Sequence, residues 1–156
     1  MQAGVREASG ADAEALSALI NEAYGVEAFF VRGLRTDCAD VLAQQRTGVF
    51  LVADQEGEIV GCVYLRCSSE PAYIGLISVD PKQQGKGLGR RLITLAEERC
   101  RAEGRTRVAI WVVNLREELF PWYEALGYRR VREEPFSEVS RLLRPCHFVV
   151  MEKGLA

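Results

Sequence analysis

Gly85, Gly87 and Gly89 alternate within the stretch Ser78-Val79-Asp80-Pro81-Lys82-Gln83-Gln84-Gly85-Lys86-Gly87-Leu88-Gly89-Arg90-Arg91. Glycines lack a Cβ, so the backbone N–H groups of such a turn can approach a ligand closely. Upstream, Tyr73 to Val79 reads as a buried strand. Downstream, Leu88, Leu92, Leu95 and Ala96 recur at helical spacing to about Cys100. The helix N-terminus adds unpaired donors and a partial positive charge. Strand, glycine turn and helix together suit a phosphate or pyrophosphate. Two familiar phosphate patterns fail. The Walker pattern needs Ser or Thr after its Lys, and Lys86 is followed by Gly87. The dinucleotide fingerprint G-x-G-x-x-G fails at Arg90. What stands is V-x-P-x-x-Q-G-x-G-x-G, whose bland alternative is a glycine-rich turn with no ligand.

That string resembles the acetyl-CoA-binding motif of the GNAT acyltransferases, V-x-P-x-x-[QR]-G-x-G-x-[GA]. Val79, Pro81, Gln84, Gly85, Gly87 and Gly89 each match. A second stretch, Tyr123-Glu124-Ala125-Leu126-Gly127-Tyr128, resembles the family's Y-E-K-L-G-[FY]. The resemblance implies that the Ile77-Ser78-Val79 segment pairs with the pantetheine arm, through the main chain of Ile77 and Val79. It implies that the turn of Gln84, Gly85, Lys86, Gly87, Leu88, Gly89 and Arg90 takes the pyrophosphate. It also implies that Tyr123 protonates the leaving CoA thiolate. The family usually has Asn where this chain has Arg116, with Asn114 just upstream. Both count as candidates for cofactor contact. Asn114 also reads as a helix cap, with Glu117 three residues on.

Acyl transfer to an amine needs a neutral nucleophile. A lysine-like amine has a pKa of ~10.4, so a base or water relay must take its proton. The thioester carbonyl needs a donor, for which the Val79 N–H is placed. A phenol can then protonate the thiolate, the role of Tyr123; its bland alternative is core packing. No carboxylate lies between Tyr73 and Val79, and no base is assigned. The reading is an acetyl-CoA-dependent N-acetyltransferase acting on the primary amine of a small or amino-acid-like acceptor. Two alternatives are an acetyltransferase of protein lysines or N-termini, and a CoA-binding sensor without turnover. Acetyl-CoA is the co-substrate, and no metal is expected. The irregular segments 26–35 and 133–144 carry Phe29, Phe30, Arg32, Arg35, Glu133, Glu134 and Phe136. Loops on a rigid scaffold commonly carry recognition, so acceptor choice is expected there. If Glu133 and Glu134 rim that site, they favour cationic amines; otherwise they are a solvated charge run.

Composition narrows the class. A length of 156 residues suits one domain, here 1–156, with a sizeable core. Lys and Arg total 20 against 22 Asp and Glu, so no basic field for nucleic acid is present. No apolar run approaches the ~20 residues of a membrane helix, and the N-terminus lacks a signal peptide's apolar core. A cytoplasmic location and no membrane partner are therefore expected. The five cysteines are an odd number without C-x-x-C, and His147 is the single histidine, poor material for zinc. They read as reduced thiols, several of them buried. The oligomeric state is left open, a homodimer included.

The elements that would position these residues follow in order. Val5 to Ala8 is a strand, Ser9 and Asp12 open a helix in the manner of a capping box, and a second helix follows Thr36 with Val41, Leu42 and Gln45 inward. Val49–Ala53 and Ile59–Cys67 read as an antiparallel hairpin. The strand of Tyr73–Val79 and the motif helix come next, then an interior strand at Arg107–Val113. A helix is expected over about 115–126, where Pro121 suits only a first turn. Tyr128–Arg132 is a strand, Glu133–Arg144 a long polar loop, and His147–Lys153 a last strand. The order β-α-α-β-β-β-α-β-α-β-β resembles the GNAT fold. That implies an α/β domain with a mixed central sheet of about seven strands, flanked by about four helices. In the family the sheet splays between its fourth and fifth strands, and acyl-CoA lies in the opening.

Overall fold

The structure, a computed structural model, describes residues 3–155. Seven strands form one sheet: β1 (Gly4–Glu7), β2 (Val49–Gln55), β3 (Glu58–Arg66), β4 (Ala72–Val79), β5 (Arg107–Val113), β6 (Arg129–Pro135) and β7 (His147–Gly154). Their spatial order is β1-β2-β3-β4-β5-β7-β6. The four α-helices are α1 (Ala13–Ala23), α2 (Cys38–Thr47), α3 (Leu88–Ala102) and α4 (Leu119–Ala125). This is the expected mixed α/β architecture, element for element.

Period-2 alternation divides the core between two faces. Leu51, Ala53, Val63 and Leu65 point toward the cluster of Leu92, Ile93, Ala96 and Phe120, from α3 and α4. Phe50, Val52, Cys62 and Tyr64 point the other way, onto Leu16, Leu19, Ile20 and Val41, from α1 and α2. Tyr128 is anchored inside the first cluster, where its hydroxyl donates to Glu97 at 2.6 Å while Lys153 pairs with the same carboxylate at 2.9 Å.

Every strand pair is antiparallel except β4–β5. These two parallel strands meet only at Ala72–Val108 and Tyr73–Ala109, then part. From Ile74 onward β4 has no strand on that edge, while β5 pairs along its length with β7. A parallel sheet that opens this way leaves main-chain donors and acceptors of β4 free for a ligand.

Local chemistry explains the elements and several departures from expectation. The Ser9 N–H donates to the Asp12 carboxylate at 2.8 Å, as a capping box requires. Asp37 caps α2 by accepting from the Asp40 N–H at 2.8 Å. Leu42 does not face inward; it is 40% exposed, and Val41 alone buries α2. The helix expected over 115–126 is shorter, because Pro121 lacks an N–H and fits only the first turn of α4. Asn114 does not cap it. Its Oδ1 accepts from the His147 N–H at 2.9 Å and ties β5 to β7. The polar loop expected from Glu133 begins later, since β6 runs to Pro135 with Glu133 and Glu134 opposite Val149 and Phe148. An edge strand tolerates such charges and a terminal proline.

Candidate active site

Between β4 and β5 lies a cleft of about 810 Å³. Its floor is the open edge of β4, and that edge is distorted. The register with β3 shifts between Cys62–Ser78 and Tyr64–Gly75, leaving Leu76 and Ile77 in a bulge. Leu76 sits at φ +52, a left-handed conformation that L-residues with a Cβ seldom adopt. The bulge reverses the strand's alternation. Ala72 and Ile74 pack toward α3, whereas Leu76 packs with the α1/α2 cluster and Ile77 takes the α3 side. Strain of this kind, about 1–3 kcal/mol, concentrates at functional sites.

Beyond the bulge the main chain is sorted by edge. The Asp80 N–H donates to the Val60 carbonyl on β3, so by alternation the Val79 backbone faces the open edge. The Val79 carbonyl accepts from the Gln84 side chain at 3.4 Å. Ser78 is buried, with its hydroxyl donating to the Leu76 carbonyl at 3.1 Å, so its side chain braces the bulge. Gly85 and Gly87 both have φ +78, and a Cβ on either would meet nothing within 4 Å. The turn is therefore open on its outer side, and only its backbone conformation demands glycine. Gly87 caps α3, leaving the first N–H groups of Leu88, Gly89 and Arg90 without intrahelical acceptors. Lys86 and Arg90 are exposed and form no ion pair among the described residues, while Arg91 is spent on the Ala3 carbonyl. A cradle with open φ-positive glycines, free helix N–H groups and two free cations fits a pyrophosphate-bearing ligand.

The cleft itself gathers Ile77, Arg116 and Tyr123 with residues that sequence reasoning did not assign. Tyr123, from α4, is 3% exposed and packs edge-on to Trp122 and Tyr128. No protein group among the described residues hydrogen-bonds its hydroxyl, and burial lifts that phenol above its ordinary pKa. The titratable groups acting on it are Tyr24, Tyr73 and Arg116. The Tyr73 ring lies against Gly75, where any Cβ would collide with it. Arg116 does not stand free toward a cofactor. Its guanidinium donates to Glu27 and to Glu118, each at 2.8 Å. Glu27 is a buried carboxylate on the cleft wall, in the turn of 3-10 helix at Tyr24–Phe29. Burial raises its pKa, and Arg116 opposes the rise. Its only sequence signal was its place in an aperiodic segment. Asn114 lines a separate pocket of about 350 Å³ with His147 and Glu117.

The two irregular segments converge over this cleft. Arg32 N–H donates to the Arg141 carbonyl, Leu143 N–H to the Phe30 carbonyl, and Val31 bridges Leu142. Arg35 and Phe136 line the cleft, but Phe30 is buried core, and Glu133 and Glu134 lie outside the cleft wall. Glu134 is held by Arg132 at 2.6 Å.

Comparison with known proteins agrees with this geometry. The family described as "Acetyltransferase (GNAT) domain" matches residues 17–153. An uncharacterized N-acetyltransferase of Chlorobaculum tepidum is 29% identical over 143 residues, covering 91% of this chain and 84% of that protein. Among solved structures, the ribosomal-protein-S18-alanine N-acetyltransferase of Escherichia coli superposes with TM-score 0.78 at 15% identity, covering 98% and 94% of the two chains. The Salmonella typhimurium protein yncA, solved with its cofactor acetyl-CoA, gives TM-score 0.76 at 20% identity, covering 100% and 95%. At those identities the two structures speak for the fold. The chain belongs to the GNAT acetyltransferase family. It is an N-acetyltransferase, of the class of enzymes that take their acetyl group from acetyl-CoA.

Proposed function

We infer that the chain transfers an acetyl group from acetyl-CoA directly to the primary amine of a small or amino-acid-like acceptor, with Tyr123 as general acid. The observation that carries this reading is the Tyr123 hydroxyl, without a hydrogen-bond partner among the described residues and set in the wall of the cleft that β4 and β5 open. The turn from Gln84 to Arg90 would hold the pyrophosphate, and the free edge at Ile77 and Val79 would pair with the pantetheine arm. Bound acetyl-CoA supplies the activated acyl carbon.

The chain's own groups do the rest. A main-chain N–H of the β4 edge donates to the thioester oxygen as negative charge develops there. Glu27, the buried one of the two carboxylates on the cleft wall, would take the amine's proton through a water. The C–N bond forms, the C–S bond breaks, and the sulfur receives the Tyr123 proton. A phenol whose pKa burial has raised stays protonated at neutral pH and is ready to donate. Arg116 holds Glu27 in place rather than contacting the co-substrate.

Release of free thiol from acetyl-CoA over a panel of primary amines tests this reading. Amine-dependent release is expected, together with a rise in melting temperature on adding acetyl-CoA. A protein stabilised by acetyl-CoA that releases no thiol, whichever amine is added, would instead be a sensor.

A further inference from the structure

The chain has a formal net charge of −2, yet the walls of its cleft are positive. Arg35, Arg66, Arg116, Arg132 and Arg141 line it, against the carboxylates of Glu27 and Glu138. Three of these arginines are consumed inside the protein. Arg116 holds Glu27 and Glu118, Arg132 holds Glu134, and Arg141 holds Glu138. Arg35 and Arg66 differ. Among the described residues neither guanidinium enters an ion pair or hydrogen bond. Each lies over an aromatic face instead, Arg35 at 5.3 Å from the Tyr24 ring centre and Arg66 at 4.9 Å from that of Tyr73. A cation–π contact uses none of the guanidinium's N–H donors in a hydrogen bond to an oxygen, so they remain available for an oxyanion.

The place of these two forks matters as much as their freedom. Tyr24, Tyr73 and Tyr123 line the same cleft, so each fork is carried on a ring that shares the cleft with the proposed acid. From Tyr73 to Val79 a strand spans about 20 Å at ~3.3 Å per residue, so the forks are remote from phosphates held at the glycine turn. Trp111, Phe136 and Phe148 also line the cleft, with the Phe148 ring in contact with each of the other two. Like-charge repulsion makes the site unfavourable for polycations.

We propose that the acceptor is an anionic amine whose carboxylate or phosphate is bound by Arg35 and Arg66, with its apolar body against Trp111 and its amine toward Tyr123. The proposal rests on the acyl-transfer reading and adds the substrate class.

Calorimetric titration of the CoA-loaded protein separates the two, because CoA without its acetyl group permits binding and no reaction. The probes are L-phenylalanine, its aminophosphonate analogue and L-phenylalaninamide. At least one acid form is expected to bind about tenfold or more tightly than the amide, and the stronger of the two identifies carboxylate or phosphate as the group read. Arg35→Gln and Arg66→Gln should each remove most of that preference and leave the affinity for CoA unchanged, while Arg66→Lys keeps part of it. Equal binding of acid and amide, failure of both acid forms to bind, or variants that weaken CoA itself would overturn the proposal. A parent protein that does not bind CoA overturns the acyl-transfer reading as well, a result distinct from the others.

Discussion

Tyr123 and Glu27 illustrate what a single side chain contributes here. Tyr123→Phe keeps the ring between Trp122 and Tyr128 and removes a hydroxyl that no group among the described residues hydrogen-bonds. Its stability should hardly change, whereas the single-turnover rate should fall by about 10²–10⁴-fold, the usual share of general acid–base catalysis. The dissociation constant for acetyl-CoA should not move. An unchanged single-turnover rate in the folded variant would remove Tyr123 from the mechanism. Glu27 tests the other proton. A base works deprotonated, so activity should fall as pH drops through a pKa above the ordinary glutamate value of 4.5. Glu27→Gln should erase that acid limb; if the limb persists, the base lies elsewhere. Tyr123 was legible in the sequence because its neighbours form a contiguous string. Glu27 was not, since its meaning comes from Arg116, 89 positions away. The sequence offers Asn114 as a cofactor contact or a helix cap, whereas the backbone it binds belongs to a strand far downstream.

Elements carry two further predictions. Gly87→Asp places a Cβ at φ +78, a strain of about 1–2 kcal/mol, and adds a negative charge at the N-terminus of α3 where phosphate is expected. The melting-temperature rise given by acetyl-CoA should vanish in a variant that remains folded; an undiminished rise would place the pyrophosphate elsewhere. At the start of α1, Arg6 and the Ser9 N–H hold the Asp12 carboxyl down at about 2, from 3.8. A depressed acid stabilises the fold above its unfolded value and loses that contribution as pH falls toward the folded one. Stability should therefore decline between about pH 4 and pH 2. Asp12→Asn should flatten this decline and, because Arg6 is exposed, cost no more than about 1 kcal/mol at neutral pH, read from urea midpoints. An unchanged decline would show that other carboxyls set it. The capping box and the glycine turn were readable because cap and turn chemistry is local. The β4 bulge was not. Leu76 satisfies a plain alternating strand as well as a bulged one, and only the pairing with β3 reveals the reversal.

Over the whole molecule, sequence periodicity predicted the order of strands and helices because each amphipathic repeat is a local signal. How the segment around Arg32 meets the segment around Arg141 over the cleft was not predicted, because that seam joins residues more than a hundred positions apart. Arg141 is its hinge pin. The guanidinium donates to the Arg32 carbonyl at 2.8 Å, to the Leu34 carbonyl at 2.7 Å and to Glu138 at 2.6 Å. Two of these bonds grip the stretch that leads into Arg35, so the seam sets where the wall proposed to face the acceptor stands. Each bond is worth about 0.5–1.5 kcal/mol net, and Arg141→Ala removes all three. The seam makes no contact with the glycine turn, so affinity for acetyl-CoA should be retained. The acceptor's KM should rise about tenfold, equivalent to about 1.4 kcal/mol, with kcat less affected because Tyr123 rests on α4 and the core. Hydrogen exchange of the amides of Arg32 and Leu143 should quicken in the same variant, since both donate across the seam. If KM holds steady while those amides exchange faster, the seam is merely structural, and acceptor recognition does not depend on where this wall is held.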